Sequence, residues 1–480
     1  LEVFFKKEFS DDADSLKWIK GIGKRVLPFL LMALSVPALL AMWKYSAADW
    51  EHYIAMTRET RKFTRYEYLL TQFNVLMTYV RLLFVPYGQN LDYDYPIARS
   101  FFIFPTWLSF FGVMSLVILA VRQFRKNPLI SFGIFWMFVT LSLESSLFPI
   151  SDVINEHRLY LPMAGFGLAV TAALIRLFHS RTILVSVFGI VIAVFSVLSY
   201  IRNEAWGDKP AFWQDIARKS PNKARVHNNL GIIYADAGRV DEALAEYRKA
   251  VELDGNYAHP HNNLANIYFK QDRFAEAREE LAQALAVDPD YPGGYYNLGN
   301  VAWAEEKFDE AAEHYAAAIR LRPSFVPAMV ALGKCYRRKG DIAKGEFYFR
   351  AALRIDPDYD AAYSNLGDMY LGLKRYKDAL WYYQQAVQRN GTLIMAYNNM
   401  ANIYDMYGAY EEAVNTYREI IVNDPTFANA YFNLANTLRK LGRRDEAKIV
   451  LNQAIERYSQ AGNTKMAEAA RRRLQQLGAQ

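Results

Sequence analysis

Hydrophobic positions along this chain follow two rhythms, and the change falls just after residue 201. Before it, apolar and aromatic residues come in long runs broken by short polar stretches. After residue 224 they recur singly at regular intervals among Ala, Asn, Tyr, Glu and Lys. Long apolar runs predict membrane-spanning helices, and regular recurrence predicts packed amphipathic ones. The predicted fold is therefore all-α: a polytopic transmembrane helical bundle over 1–201, a junction over 202–223, an α-solenoid over 224–461, and a polar capping helix over 462–480. The mean hydropathy of -0.09 averages two unlike halves and describes neither.

Crossing a bilayer takes roughly 20 apolar residues as a helix. Five runs qualify, at about 26–43, 102–121, 128–148, 161–177 and 182–200. A sixth stretch, 66–86, mixes Gln72, Asn74 and Arg81 with Leu, Val and Tyr, and reads as an amphipathic or re-entrant helix. Basic residues then set the orientation. Lys17, Lys20, Lys24 and Arg25, then Arg122, Arg125 and Lys126, then His179 and Arg181 all fall on one side if 66–86 does not cross. That side is expected to be the cytoplasm. Lys44, Arg58, Arg61, Lys62 and Arg65 oppose this assignment, with Glu51 and Glu59 among them. The opening "LEVFFKKEF" reads as the exit of an earlier span, so a longer chain is expected.

In the second half, Leu230-Gly231, Leu264-Ala265, Leu298-Gly299, Leu332-Gly333, Leu366-Gly367, Met400-Ala401 and Leu434-Ala435 recur every 34 residues. Small residues keep step at Ala243, Ala277, Ala311, Gly345, Ala379, Ala413 and Ala447, and Pro289, Pro323, Pro357 and Pro425 close repeats. Seven copies of the pattern are identified as tetratricopeptide repeats. Each is a helix hairpin that buries its apolar face only by stacking on its neighbours. The run "FWQDIARKSP" resembles the second helix of a degenerate earlier repeat, and Trp206, Phe212 and Trp213 suit a membrane interface.

One column on the first helices carries Asn229, Asn263, Asn297, Asn365, Asn399 and Asn433, broken by Ala331; a second adds Asn266, Asn300, Asn402 and Asn436. An amide both donates and accepts, so such columns can hold the backbone of an extended polypeptide or partner protein. They can equally bond the neighbouring hairpin. The columns resemble those of the repeat domain of O-linked N-acetylglucosamine transferase, which implies backbone-directed holding.

Net charge is +6 without a basic face of interleaved aromatics, so nucleic acid is not an expected partner. The one cysteine, Cys335, excludes an intrachain disulfide and a cysteine-based metal cluster, and it reads as a small buried hydrophobe. No cofactor is firmly indicated. Between two predicted spans lie Glu156, His157, Arg158 and Tyr160. Charge beside hydrocarbon is costly and is paired or functional. Arg158 and Tyr160 can clamp a lipid phosphate, with His157 donating and Glu156 orienting; an internal Glu–Arg pair anchoring the loop fits as well. Asp92 and Asp94 are a further acidic pair, read either as a metal or acceptor site or as a turn under aromatic residues.

"SDVINEHRLYLPMAGFG", "FWQDIARKSPNKARVHNNLG" and "LTQFNVLMTYVRLLFVPYGQNLDYDYP" together resemble the bacterial membrane-plus-tetratricopeptide-repeat O-mannosyltransferase-like family, in the C-type glycosyltransferase superfamily. The resemblance implies a multi-pass protein of the bacterial inner membrane with periplasmic repeats, using a lipid-phosphate-linked sugar as donor. It also implies that Glu156, His157, Arg158 and Tyr160 form the lipid-phosphate end of the site, that the product is an inverted O-glycoside, and that the catalytic acids lie in an earlier outer loop. The rival expectation is a non-catalytic membrane-anchored scaffold for envelope or secretion complexes.

Overall fold

A computed structural model describes residues 64–86, 88–142, 154 and 159–478 of the chain, all helix and connection, in two compact units, Leu1–Asp254 and Gly255–Gln480. The expected span at 26–43 lies outside the described residues.

The first unit opens with α1 (Arg65–Phe84), α2 (Thr106–Lys126), α3 (Pro128–Ser142), α4 (Tyr160–Leu177) and α5 (Arg181–Gly207). By length and composition α2, α4 and the Arg181–Ile201 part of α5 can cross a membrane, whereas the apolar stretch of α3, Pro128–Leu141, is shorter. The turn between α2 and α3 is tied to the end of α4, where the Arg176 guanidinium donates to Asn127 Oδ1. Helices α3 and α4 touch through their backbones. A Cβ at Gly165 would stand 2.6 Å from the Gly133 carbonyl oxygen, and one at Gly133 would strike the Gly165 carbonyl. Small residues are what allow such an approach where no hydrophobic effect drives helices together.

Helix α1 explains why its sequence reads as neither span nor surface helix. A capping box starts it: Thr64 Oγ1 accepts from Glu67 N–H at 3.2 Å and Glu67 Oε2 accepts from Thr64 N–H at 2.7 Å. Thr71, Asn74 and Thr78 then form a polar stripe at helical spacing. Each grips the extended segment that leads into α2. Thr71 Oγ1 accepts from Ala98 N–H (2.9 Å), Asn74 Nδ2 donates to Thr106 Oγ1 (3.2 Å), and the Thr78 and Tyr95 hydroxyls meet at 2.8 Å. The other face buries Tyr68, Val75, Tyr79 and Leu82 with Met137, Leu141, Ile154 and Leu159. These partners lie toward the Ser142 end of α3 and the Tyr160 end of α4, away from the basic turn at 122–126.

Helix α6 (Lys209–Lys219) follows α5 and packs on the first helix of repeat one through Phe212, Ile216 and Val226. First helices begin at Ala224, Ala258, Pro292, Val326, Asp360, Ile394 and Ala428, and second helices at Val240, Phe274, Phe308, Ile342, Tyr376, Tyr410 and Arg444, a constant 34-residue step. The Leu-Gly pairs have a steric cause. A Cβ on Gly231, Gly299, Gly333 or Gly367 would stand 2.6, 2.5, 2.7 or 2.6 Å from the ring of Tyr247, Tyr315, Phe349 or Tyr383. Where the glycine becomes Ala265 or Ala435, the residue 16 positions on is the slimmer Leu281 or Leu451; repeat six departs from this, with Ala401 and Tyr417 at the same spacing. The hairpin turn needs a positive φ, which glycine takes freely at Gly238, Gly340, Gly408 and Gly442; Asp272, Glu306 and Lys374 take it at φ 58°, 62° and 58°. After the last repeat, Thr464–Gly478 packs on its second helix and buries Ala467, Ala470 and Leu477.

Candidate functional site

Of the four residues expected at a lipid phosphate, Glu156, His157 and Arg158 lie outside the described residues. Tyr160 opens α4 and is 75% exposed. Both flanks of the triplet are anchored: Ile154 and Leu159 are buried against Tyr68, Val75 and Tyr79 of α1.

Asp92 and Asp94 do not act as a pair. The backbone carries Asp92 inward to 7% exposure and leaves Asp94 exposed. The Asp92 carboxylate accepts a two-pronged grip from Arg225, Nε to Oδ2 at 2.7 Å and Nη2 to Oδ1 at 2.8 Å, and Lys223 Nζ also closes on Oδ1. Planar guanidinium on carboxylate is the strong form of this contact. Beside it Ser220 is fully buried and uses its whole hydrogen-bonding capacity. Its hydroxyl donates to the Asp92 carbonyl (2.7 Å) and accepts from Asn90 Nδ2 and Asp94 N–H, both at 2.8 Å. Lys219 and Lys223 cap the carbonyls of Gln89 (2.9 Å) and Tyr93 (3.1 Å), and Leu91 enters the Phe212–Ile216–Val226 cluster. His227 braces the same turn, its Nδ1 2.6 Å from Glu246 Oε2 and its Nε2 2.9 Å from the Pro221 carbonyl oxygen.

Residues 89–94 are thus latched to the junction and to repeat one, while 95–106 are bound to α1. Ser220, Lys223 and Arg225 escaped sequence reasoning because nothing local marks them. The available signal was charge: Lys219, Lys223 and Arg225 crowd a short stretch whose acidic complement, "NLDYD", lies some 130 residues earlier.

The asparagine columns lie on the first helices as expected, and every member is half-buried. Several amides already serve the array. Asn297 Nδ2 donates to Asn262 Oδ1 at 2.7 Å, Asn300 Nδ2 donates to Asn297 Oδ1 at 3.3 Å, and Asn300 Oδ1 accepts from Tyr315 OH at 2.9 Å. Asn365 Nδ2 bonds its own helix at the Ala361 carbonyl (2.7 Å), Asn399 Nδ2 donates to Tyr383 OH (3.0 Å), and Asn402 Oδ1 accepts from Tyr417 OH (2.7 Å). Asn229 accepts only a long 3.4 Å contact from Asn228. Asn436 Oδ1 is buried without a partner. Asn263, Asn266 and Asn433 complete the columns. Several of these amides are therefore engaged inside the array.

Electrostatics in the second unit are largely structural. Arg278 reaches Glu305 and Glu310 of the next repeat, and its guanidinium holds both carboxyls below the ordinary range. Burial pushes the Cys335 thiol up to about 12 and, in the first unit, Tyr247 likewise to about 12. Among the described residues no group of three His, Cys, Asp or Glu side chains could hold a metal ion.

Family models match the repeat half of the chain. Models described as TPR repeat and tetratricopeptide repeat match residues 231–272, then 262–325, 296–360 and 330–392, and finally 406–470. Among solved structures, that titled "Functional Characterization of Pseudomonas Aeruginosa pilF" is 22% identical, covers 42% of this chain and 92% of that one, and has a TM-score of 0.39. Curated relatives include the human protein O-mannosyl-transferase TMTC1, 25% identical over 209 residues (40% of this chain), and the Drosophila melanogaster protein O-mannosyl-transferase Tmtc2, 30% identical over 120 residues (24% of this chain). The matched regions span only 23% and 13% of those two relatives. The chain carries tetratricopeptide repeats after apolar helices long enough to span a membrane, and it is distantly similar to protein O-mannosyl-transferases.

Proposed function

We propose that the chain is the acceptor-holding and donor-loop portion of a membrane glycosyltransferase that uses a lipid-phosphate-linked sugar. Arg158, with Glu156, His157 and Tyr160, binds the donor phosphate. The repeats hold an extended polypeptide whose Ser or Thr hydroxyl receives the sugar. The acceptor oxygen bonds to the anomeric carbon, the bond from that carbon to the lipid phosphate breaks, and the hydroxyl proton passes to a carboxylate other than Asp92, which is spent in the latch.

One observation carries this reading. Ile154 and Leu159, which flank Glu156–Arg158 in the chain, pack on α1, and α1 binds the segment that latches to repeat one, so these flanking residues and repeat one lie toward the same end of the bundle. The contacts of α1 run from that end as far as Leu116 of α2 and Phe166 of α4, short of the basic turn at 122–126, which is compatible with a helix that does not cross. Basic residues mark the opposite end and favour it as the cytoplasmic one; the shared end then faces the periplasm of a bacterial inner membrane.

The scaffold reading keeps one support: the most buried acid of the outer segment, Asp92, is structural. Arg158→Ala in the full-length protein, expressed in its own host, separates the two. Loss of sugar from secreted proteins, with protein level unchanged, is the expected result. Unchanged glycosylation overturns the donor-binding role.

A further inference from the structure

Repeat four departs from its neighbours on the face that carries the asparagine columns. Its first helix, Val326–Arg338, has Ala331 in the first column and Lys334 in the second, where the preceding repeat has Asn297 and Asn300. Lys334 is followed four residues later by Arg338, so two cations share one side of the helix. Like charges at that spacing repel by a few tenths of a kcal/mol, and no acid offsets them. Among the described residues neither side chain reaches a carboxylate. Instead the Lys334 ammonium lies 4.9 Å from the centre of the Trp303 ring, and the Arg338 guanidinium 5.3 Å from that of Phe308. Those two rings stand edge to face at 5.0 Å, both on the preceding repeat.

The nearby acids are engaged elsewhere. Glu305 and Glu310 belong to Arg278, Asp309 to Lys339, and Asp368 to Arg337 and Tyr383. Aromatic faces position a cation without neutralising it. Ala331 removes the amide that would otherwise stand one turn before Lys334. Repeat four therefore offers a prepared positive step on the face that carries the asparagine columns.

We propose that this step recognises an acidic side chain of the extended polypeptide held on the asparagine face, so that the repeats select among chains rather than accept all alike. The inference deepens the acceptor-holding reading and rests on it. It makes Lys334 and Arg338 specificity residues, placed to bind a Glu or Asp carboxylate.

The test uses the whole chain in nanodiscs. The probes are two fluorescent 12-residue Ser/Thr/Ala peptides, identical except for a central Glu in one and Gln in the other, read by anisotropy at low salt. Wild type is expected to bind the Glu peptide about fivefold more tightly, as for a half-exposed charge pair, with the preference fading in high salt. Lys334→Gln, and Lys334→Gln with Arg338→Gln, should abolish the preference, leave Gln-peptide binding unchanged and leave the melting temperature equal or higher. Lys339→Gln, whose ammonium is already paired, should keep the preference. Equal binding of both peptides by wild type, or a preference that survives in both Lys334 variants, overturns the charge reading alone. No binding of either peptide overturns the acceptor-holding reading and this one with it.

Discussion

The repeats and the outer segment 89–106 are held by opposite strategies. In the repeats one contact recurs at a fixed interval: in four of the seven, a ring of the second helix fills the gap over a glycine of the first. In the outer segment each contact is made once, between residues far apart in the chain, such as Asp92 and Arg225. A solenoid loses one step when one contact fails, because its stability is a sum over neighbours. A single latch has no copy to fall back on. Periodic construction tolerates local change, and unique construction concentrates the consequence.

That contrast is open to breakage. The largest effect is expected from Asp92→Ala, which strands Lys223 and Arg225 beside buried Ser220. Breaking a buried pair costs about 3–5 kcal/mol, and the partial exposure of both cations lowers this to roughly 2–3 kcal/mol. Hydrogen exchange should rise at 89–98 and in repeat one while repeats four to seven stay protected. An equal rise everywhere would erase the distinction. Gly367→Ala comes next, since its Cβ meets the Tyr383 ring; repeat six already accommodates Ala401 with Tyr417 at this spacing, so a cost of about 1 kcal/mol is expected, as faster exchange confined to repeats four to six. Lys374→Gly should do the reverse, adding roughly 0.5–1 kcal/mol by relieving the left-handed turn.

Two smaller effects sharpen the picture. Cys335, with its thiol pushed up to about 12, should resist maleimide at pH 8 in the folded chain and react once the repeats are unfolded. The lowered carboxyls of Glu305 and Glu310 stabilise the fold above the ordinary glutamate value of 4.5, and that contribution fades as pH falls through their lowered values. Arg278→Ala should flatten this acid limb of the melting curve, and an unchanged limb would place its origin elsewhere.

The repeats were legible because their cause is periodic. Helix starts at Ala258, Pro292 and Val326 keep the spacing of the Leu-Gly pairs, and the steric demand of a tyrosine ring writes glycine at the same step. The stretch 66–86 was half legible: Gln72, Asn74 and Arg81 announced a helix unsuited to lipid, but that its polar stripe grips 95–106 depends on a segment with no pattern of its own. Asp92 and Asp94 read as a pair because they are near in sequence, whereas the fold separates them by turning one inward. The basic residues of 219–225 carry no period, so only their distant acid reveals them.

Helix α5 runs 27 residues, Arg181–Gly207, about 40 Å at 1.5 Å per residue. A hydrocarbon core of about 30 Å takes up three quarters of that length when the helix stands upright. What remains is a rigid stalk roughly 10 Å tall under α6. The headgroup layer fills most of that height, so a chain spanning in this way sets α6 and the first hairpin down at the bilayer face with no flexible linker between them.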